Sequence, residues 1–168
     1  PNKPLKLINK KEMILHVYES AMKVKNSEVY VATPDKKIFD LITNSGGNVI
    51  ETSDKHETGT DRVFEVFHKV LKKEPSIVVN LQGDMPNISP EAINMLIEYI
   101  KKNKCDIATL ASELKKKEDF VNPNIVKVAV KEKLTKDEFQ NSLDFFRTQT
   151  KSKLNLYHHI GIYAFTSK

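Results

Sequence analysis

Three short stretches carry the side chains with which this chain could do chemistry. In "SIVVNLQGDMP", Ser76 to Pro86, an apolar run breaks into Gln82, Gly83 and Asp84. Glycine there permits a tight turn or a positive φ angle, and Asp84 offers the hard oxygen donor suited to magnesium, an ion that sits on one or two carboxylates plus substrate phosphates. Gln82 can read a hydroxyl or an amide. In "HETGTDR", His56 to Arg62, the residues Thr58, Gly59 and Thr60 present hydroxyls and backbone N–H groups just ahead of a helical pattern. A helix start of this kind favours an anion or a nucleobase edge, and Arg62 adds a planar fork for carboxylate or phosphate. In "PNKPL", Lys3 stands between two prolines, a point charge on a stiff segment of the sort a triphosphate site needs.

Each stretch also has a plain structural reading. Gly-Asp after a strand is a common turn pair, Thr60 or Asp61 can merely cap a helix, and lysine in a proline-bearing loop is commonplace. His56 reads as a solvated loop residue, and His16 and His68 as structural or surface residues of helices. His158 and His159 in "YHHIGIY" alternate across a strand, so at most one of them faces any given site. No Ser-His-Asp arrangement, nucleophilic cysteine or zinc spacing emerges, and "SGG" at Ser45 lacks the rest of a phosphate-loop signature.

The elements that must hold these residues alternate in type. "KEMILHVYESAMK" has the three-to-four spacing of an amphipathic helix, and "EVYVAT" follows as a short strand. Pro34-Asp35 opens a second helix that Gly46-Gly47 can close with a left-handed cap. "NVIET" is a strand, Val63, Val66, Phe67 and Val70 mark a helix, and "SIVVNL" is the next strand. "SPEAINMLIEYIKKN" is a helix capped by Ser89, with Pro90 at its first position and Glu91 against its positive end. "DIATLAS", "IVKVAV" and "LYHHIGIYAF" are strands, while "TKDEFQNSLDFFR" fits either a helix started by Thr135 and Glu138 or an edge strand over "SLDFFR". This alternation predicts an α/β fold, a three-layer α/β/α sandwich with a mostly parallel sheet, in which Asp84 lies past the carboxyl end of a central strand where ligands bind. With no repeat or linker in view, one domain is expected, the last third being the part that could form a lobe.

The 168 residues are 39% apolar and 29% charged, ordinary for a folded domain. No apolar run approaches the about 18 residues of a membrane span, which together with the lack of a signal-peptide pattern predicts a cytoplasmic protein. Cys105 is the one cysteine, so no internal disulfide is possible. The net charge of +5 comes from lysines in short runs at helix ends and loops, without interleaved aromatics, which argues against nucleic-acid binding.

Taken in order, "PNKPL", "MILHVYESA", "VYVATPD", "GGNVIETSDKHETGTDRVFEV", "IVVNLQGDMPNISP", "DIATLAS", "NPNIVKVAV" and "YHHIGIYAF" resemble the 3-deoxy-manno-octulosonate (KDO) cytidylyltransferases over most of residues 1–130 and 157–165. The resemblance implies a single nucleotidyltransferase domain over residues 1–168 with family segments beyond both ends, of the nucleotide-diphospho-sugar transferase fold. It implies a homodimer and the reaction CTP + KDO → CMP-KDO + diphosphate, which supplies lipopolysaccharide synthesis. Carried over by position, Lys3 neutralises the triphosphate, Thr58, Gly59, Thr60 and Arg62 frame the nucleotide, and Gln82 lies near sugar or base. Asp84 holds Mg2+ at the α-phosphate, His159 faces the KDO carboxylate, and Arg147 matches the arginine of the family's "FSR" segment. Met85 stands where the family pattern has an acid, and Asn2 where it has glycine. Two other readings stay open: cytidylate transfer to another acidic sugar, and a nucleotide-binding member without catalysis.

Overall fold

A computed structural model describes residues 3–70, 75–103, 105–136, 138–148 and 154–167. Pro1 and Asn2 of the first motif, the Lys72-Lys73 pair and most of "TQTKSK" lie outside them. The chain forms two compact units, one of residues Pro1–Ala108 with Tyr163–Lys168, the other Thr109–Ile162.

In the first unit a 3-10 turn, Lys3–Leu5, leads into a hairpin of β1 (Leu7–Ile8) and β2 (Lys11–Glu12). Its turn places Asn9 and Lys10 at φ 50° and 67°. Helix α1 (Met13–Met22) buries Ile14, Val17 and Ala21, the face its spacing predicts. Strand β3 (Val31–Thr33) pairs in parallel with β4 (Val49–Glu51), and α2 (Lys36–Asn44) makes the crossover between them. Both ends of α2 follow from local chemistry. Asp35 accepts from the N–H groups of Lys37 at 2.8 Å and Ile38 at 3.4 Å. At the other end Gly46, at φ 72°, donates to Thr43 O and Gly47 to Ile42 O, both at 2.9 Å, which is the Schellman closure.

Helix α3 (Gly59–Val70), strand β5 (Ile77–Asn80) and helix α4 (Pro90–Asn103) continue the alternation. Ser89 Oγ accepts from Ala92 N at 3.1 Å, and α4 buries Ile93, Leu96 and Ile100. Strand β6 (Ile107–Ser112) follows. It pairs with β9 (Asn155–Thr166), whose last residues also run antiparallel to β5, Ile77 opposite Thr166 and Asn80 opposite Tyr163.

In the second unit a short helix, α5 (Lys117–Val121), precedes β7 (Lys127–Val130), which runs antiparallel to both β8 (Asp144–Phe146) and the first half of β9. Val128, Val130 and Tyr157 form its core with Leu134, whose N–H donates to the Tyr157 hydroxyl at 2.8 Å. The ambiguous stretch resolves as a strand over Asp144–Phe146, and Glu138 accepts from Thr135 N at 3.2 Å without a helix being described there.

The α/β class holds, but the expected mostly parallel sheet does not match these pairings. Among the described pairings with a stated register, β3 with β4 is parallel, whereas β5–β9, β7–β9 and β7–β8 are antiparallel. The cause lies after β6, where the regular alternation ends: antiparallel neighbours need no long crossover helix, and α5 is five residues long.

Candidate active site

Lys3 and Asp84, chosen separately in the sequence, meet: Lys3 Nζ donates to Asp84 Oδ2 at 2.7 Å. The side chains keep 62% and 33% of their exposure, so both remain within reach of a ligand. An exposed pair of this kind contributes about 0–1 kcal/mol to stability, little enough to be exchanged for other partners. Asp84 is placed by the turn at Gly83. The glycine does not use a left-handed φ; a Cβ there would lie 2.7 Å from the terminal methyl of Ile14, Cδ1, on the buried face of α1, so the turn and the helix approach closely. Gln82, next along, is exposed.

The threonine-glycine-threonine turn comes against the same strand. Asn80, the buried last residue of β5, donates from Nδ2 to Thr60 Oγ1 at 3.3 Å, two residues before Gln82. The cap of α3 is Thr58, and not Thr60 or Asp61 at the cap position. Asp61 N donates to Thr58 Oγ1, while Thr58 donates to the Asp61 carboxylate from its own N–H at 3.2 Å and from its hydroxyl at 2.6 Å. The helix therefore starts two residues earlier than a Thr60 cap, and three earlier than an Asp61 cap, would set it. Gly59 has open space where a Cβ would stand, leaving the first turn of the helix bare. Arg62 is turned inward along the chain, its Nη1 donating to Thr52 Oγ1 at 2.5 Å and Ser53 O at 2.8 Å. It ties the start of α3 to the exit of β4.

The sequence reading missed a network beside this turn. His56 Nε2 contacts Glu65 Oε2, Lys69 pairs with the other oxygen, and Ser53 N donates to Oε2 at 2.9 Å. His56 is thus held within the loop and not simply solvated. The bonds from Lys69 first, then His56, then the Ser53 N–H hold the Glu65 carboxyl down to about 2. A pocket of about 450 Å³ opens alongside, lined by Pro34, Glu51, Thr52, Ser53, Asp54 and Lys69. The one sequence signal was an acid nine residues after a loop histidine, too far apart for a local rule.

His159 and Arg147 belong to the second unit. His159 is 8% exposed and its Nε2 lies 2.9 Å from Thr109 Oγ1, which also bonds Ile162 O at 2.6 Å. Its ring meets Phe145 edge-on at 5.0 Å. Burial first, and then the charge of His158, lowers its pKa below the ordinary 6.5, so the neutral imidazole is favoured. Lys127 pairs with His158 on one side and Phe146 on the other, and His159 N donates to Val126 O. Continued by one residue, that register sets Arg147 and His159 on either side of Val126, on one face of the sheet. Arg147 is exposed and donates from Nη1 to Pro123 O at 3.3 Å.

A family model described as Cytidylyltransferase matches residues 1–168. The chain belongs to the cytidylyltransferase family. Among its relatives, a protein of Thermodesulfovibrio yellowstonii named 3-deoxy-manno-octulosonate cytidylyltransferase is 43% identical over 98% of this chain and 69% of its own length. One of Shewanella pealeana named 8-amino-3,8-dideoxy-manno-octulosonate cytidylyltransferase is 38% identical over 100% of this chain and 69% of its length. A solved structure of CMP:2-keto-3-deoxy-manno-octonic acid synthetase, complexed with CTP, superposes with a TM-score of 0.84 at 37% identity, over 99% of this chain and 68% of that one. Within the family frame, no helix of the described residues is long and apolar enough to cross a membrane.

Proposed function

We propose that this chain is a CTP-dependent cytidylyltransferase that activates KDO, CTP + KDO → CMP-KDO + diphosphate, for lipopolysaccharide synthesis. The observation that carries the reading is the 43% identity to a protein of that name over 98% of the chain. The Lys3–Asp84 contact, which brings together two of the residues assigned to the nucleotide, supports it. In this reading the anomeric hydroxyl of KDO attacks the α-phosphorus in line, and diphosphate leaves without a covalent enzyme intermediate. Positioning and charge neutralisation do the work, as in phosphoryl transfer generally.

The residues divide that work by place. The α3 start, with the Thr58 cap, the bare turn at Gly59 and the Thr60 hydroxyl, frames the nucleotide, and Arg62 keeps this loop in shape from behind. Lys3 neutralises the triphosphate, Gln82 stands near sugar or base, and Arg147 and His159 receive the acidic sugar. Magnesium fits Asp84. Among the described residues no group of three or more His, Cys, Asp or Glu makes a protein cage, so an ion would come on one partly exposed carboxylate together with nucleotide phosphates, the usual habit of magnesium. Bound there, it would supply neutralisation of phosphate charge. The Lys3–Asp84 pair suits this exchange, since each partner satisfies the other until phosphate and cation replace them.

The same reading takes residues 1–168 as one nucleotidyltransferase domain of the three-layer α/β/α type, acting in the cytoplasm as a homodimer. A sedimentation run showing only monomer at micromolar concentration would remove the dimer. The reaction is tested by diphosphate release from the full-length protein with CTP, KDO and magnesium. The Shewanella relative's name favours a second reading, transfer to a related acidic sugar. Release with the 8-amino sugar and none with KDO would establish that one instead. CTP binding seen by calorimetry without turnover on either sugar would point to a nucleotide-binding member without catalysis.

A further inference from the structure

Lys127 is the largest fully buried side chain among the described residues, 0% exposed in a strand whose four residues are all buried. A lysine taken wholly out of water persists only where its donors are satisfied. Here Nζ donates to Asn122 O at 2.5 Å and Arg147 O at 2.7 Å, two backbone carbonyls from segments 25 residues apart. Neither contact is to solvent or to a reacting group, so a packing role alone would be met as well by an apolar side chain of similar volume.

The two carbonyls show what the lysine holds. Asn122 opens the Asn122-Pro123-Asn124 turn, closed by its own side chain accepting from Asn124 N at 2.9 Å. The next carbonyl of that turn, Pro123 O, receives the Arg147 guanidinium. Arg147 is therefore gripped twice: its backbone by the Lys127 amino group, and its side chain by the turn that the same amino group anchors. We propose that Lys127 is a positioning residue that fixes the Arg147 guanidinium on the sheet face it shares with His159, across Val126, so that together they receive the carboxylate of the acidic sugar. This rests on the reading of Arg147 and His159 given above. Without the clamp, the Arg147 carbonyl would lose a charged donor, which favours a shift of this strand end toward other partners.

The test uses the full-length protein and the variants Lys127→Met, which keeps the shape and loses the donors, and Lys127→Gln, which keeps a shorter donor. For folded Lys127→Met, KM for KDO should rise about 10-fold or more while KM for CTP stays within about twofold, and Lys127→Gln should fall between it and the wild type. In an Arg147→Ala background the same substitution should add less than about twofold, because its target is gone. Equal rises in both KM values, an additive effect with Arg147→Ala, or failure of both variants to fold would reduce Lys127 to a structural role and overturn the proposal. The Nε–Hε NMR signal of Arg147 reads the clamp without turnover. It should shift or broaden in the variants, and an unchanged signal would overturn the clamp even where KDO proves not to be the substrate. A wild type inactive with KDO and CTP but showing the NMR change would sink the parent reading and keep the clamp.

Discussion

Gly83→Ala should damage both stability and turnover, and the size of the damage can be worked from one distance. An added Cβ would meet Ile14 Cδ1 at 2.7 Å, about 0.7 Å inside ordinary van der Waals contact. Ile14 is 7% exposed on the inner face of α1, so its terminal methyl can give way only by repacking within the core. The backbone at Gly83 is not left-handed, so the cost is steric alone. Overpacking of this kind costs about 1–3 kcal/mol. The displaced turn carries Asp84, and a misplacement near 1 Å in such a site can lower turnover about 100-fold. Ile14→Val removes the offending carbon at a cost of about 0.5–1.5 kcal/mol by itself. In urea unfolding and diphosphate-release assays, the double variant should be less destabilised than the two singles combined by at least about 0.5 kcal/mol, and should recover activity relative to Gly83→Ala. A Gly83→Ala protein within about 0.5 kcal/mol of the wild type, or one that Ile14→Val does not relieve, would refute the close-approach argument.

Three further outcomes are expected. Glu65 is held near 2 against an ordinary 4.5, so its contribution to stability is full above about pH 4.5 and is lost as pH falls toward 2; the difference in melting temperature between wild type and Glu65→Gln should shrink over that window, and a difference constant with pH would contradict it. Asp35→Ala removes the acceptor for Lys37 N and Ile38 N and should cost about 0.5–2 kcal/mol in urea unfolding, with Asp35→Ser recovering most of it. The His159 imidazole should titrate below 6.5 by NMR, staying neutral to lower pH than a free histidine, and Phe145→Ala, which opens its surroundings to water, should bring the midpoint back up.

Local rules made part of this molecule legible. Helices α2 and α4 start and stop where Asp35, Gly46 and Ser89 require, because capping involves groups a few residues apart. The Lys3 and Asp84 side chains stand out as candidates by type and surroundings, and they meet across 81 positions. What stayed hidden depends on partners distant in sequence. Lys127 lies in "KVAV", where alternation gives no sign that an amino group is buried on backbone carbonyls. The antiparallel run of β9 is set by strands it meets after a long excursion, so the alternating first half misled the reading of the sheet. Thr58 was passed over as the cap because Thr60 and Asp61 are equally good capping types, and only the reciprocal bonds with Asp61 decide between them.

In the proposed reaction Asp84, held beside Lys3, serves the nucleotide and not the fold. Asp84→Asn keeps the shape and removes the charge, so in the full-length protein with CTP, KDO and magnesium the rate of diphosphate release should fall about 100-fold or more, while the unfolding free energy changes by no more than about 1 kcal/mol. Release within a few-fold of the wild type, or a loss explained by unfolding of the variant, would contradict it.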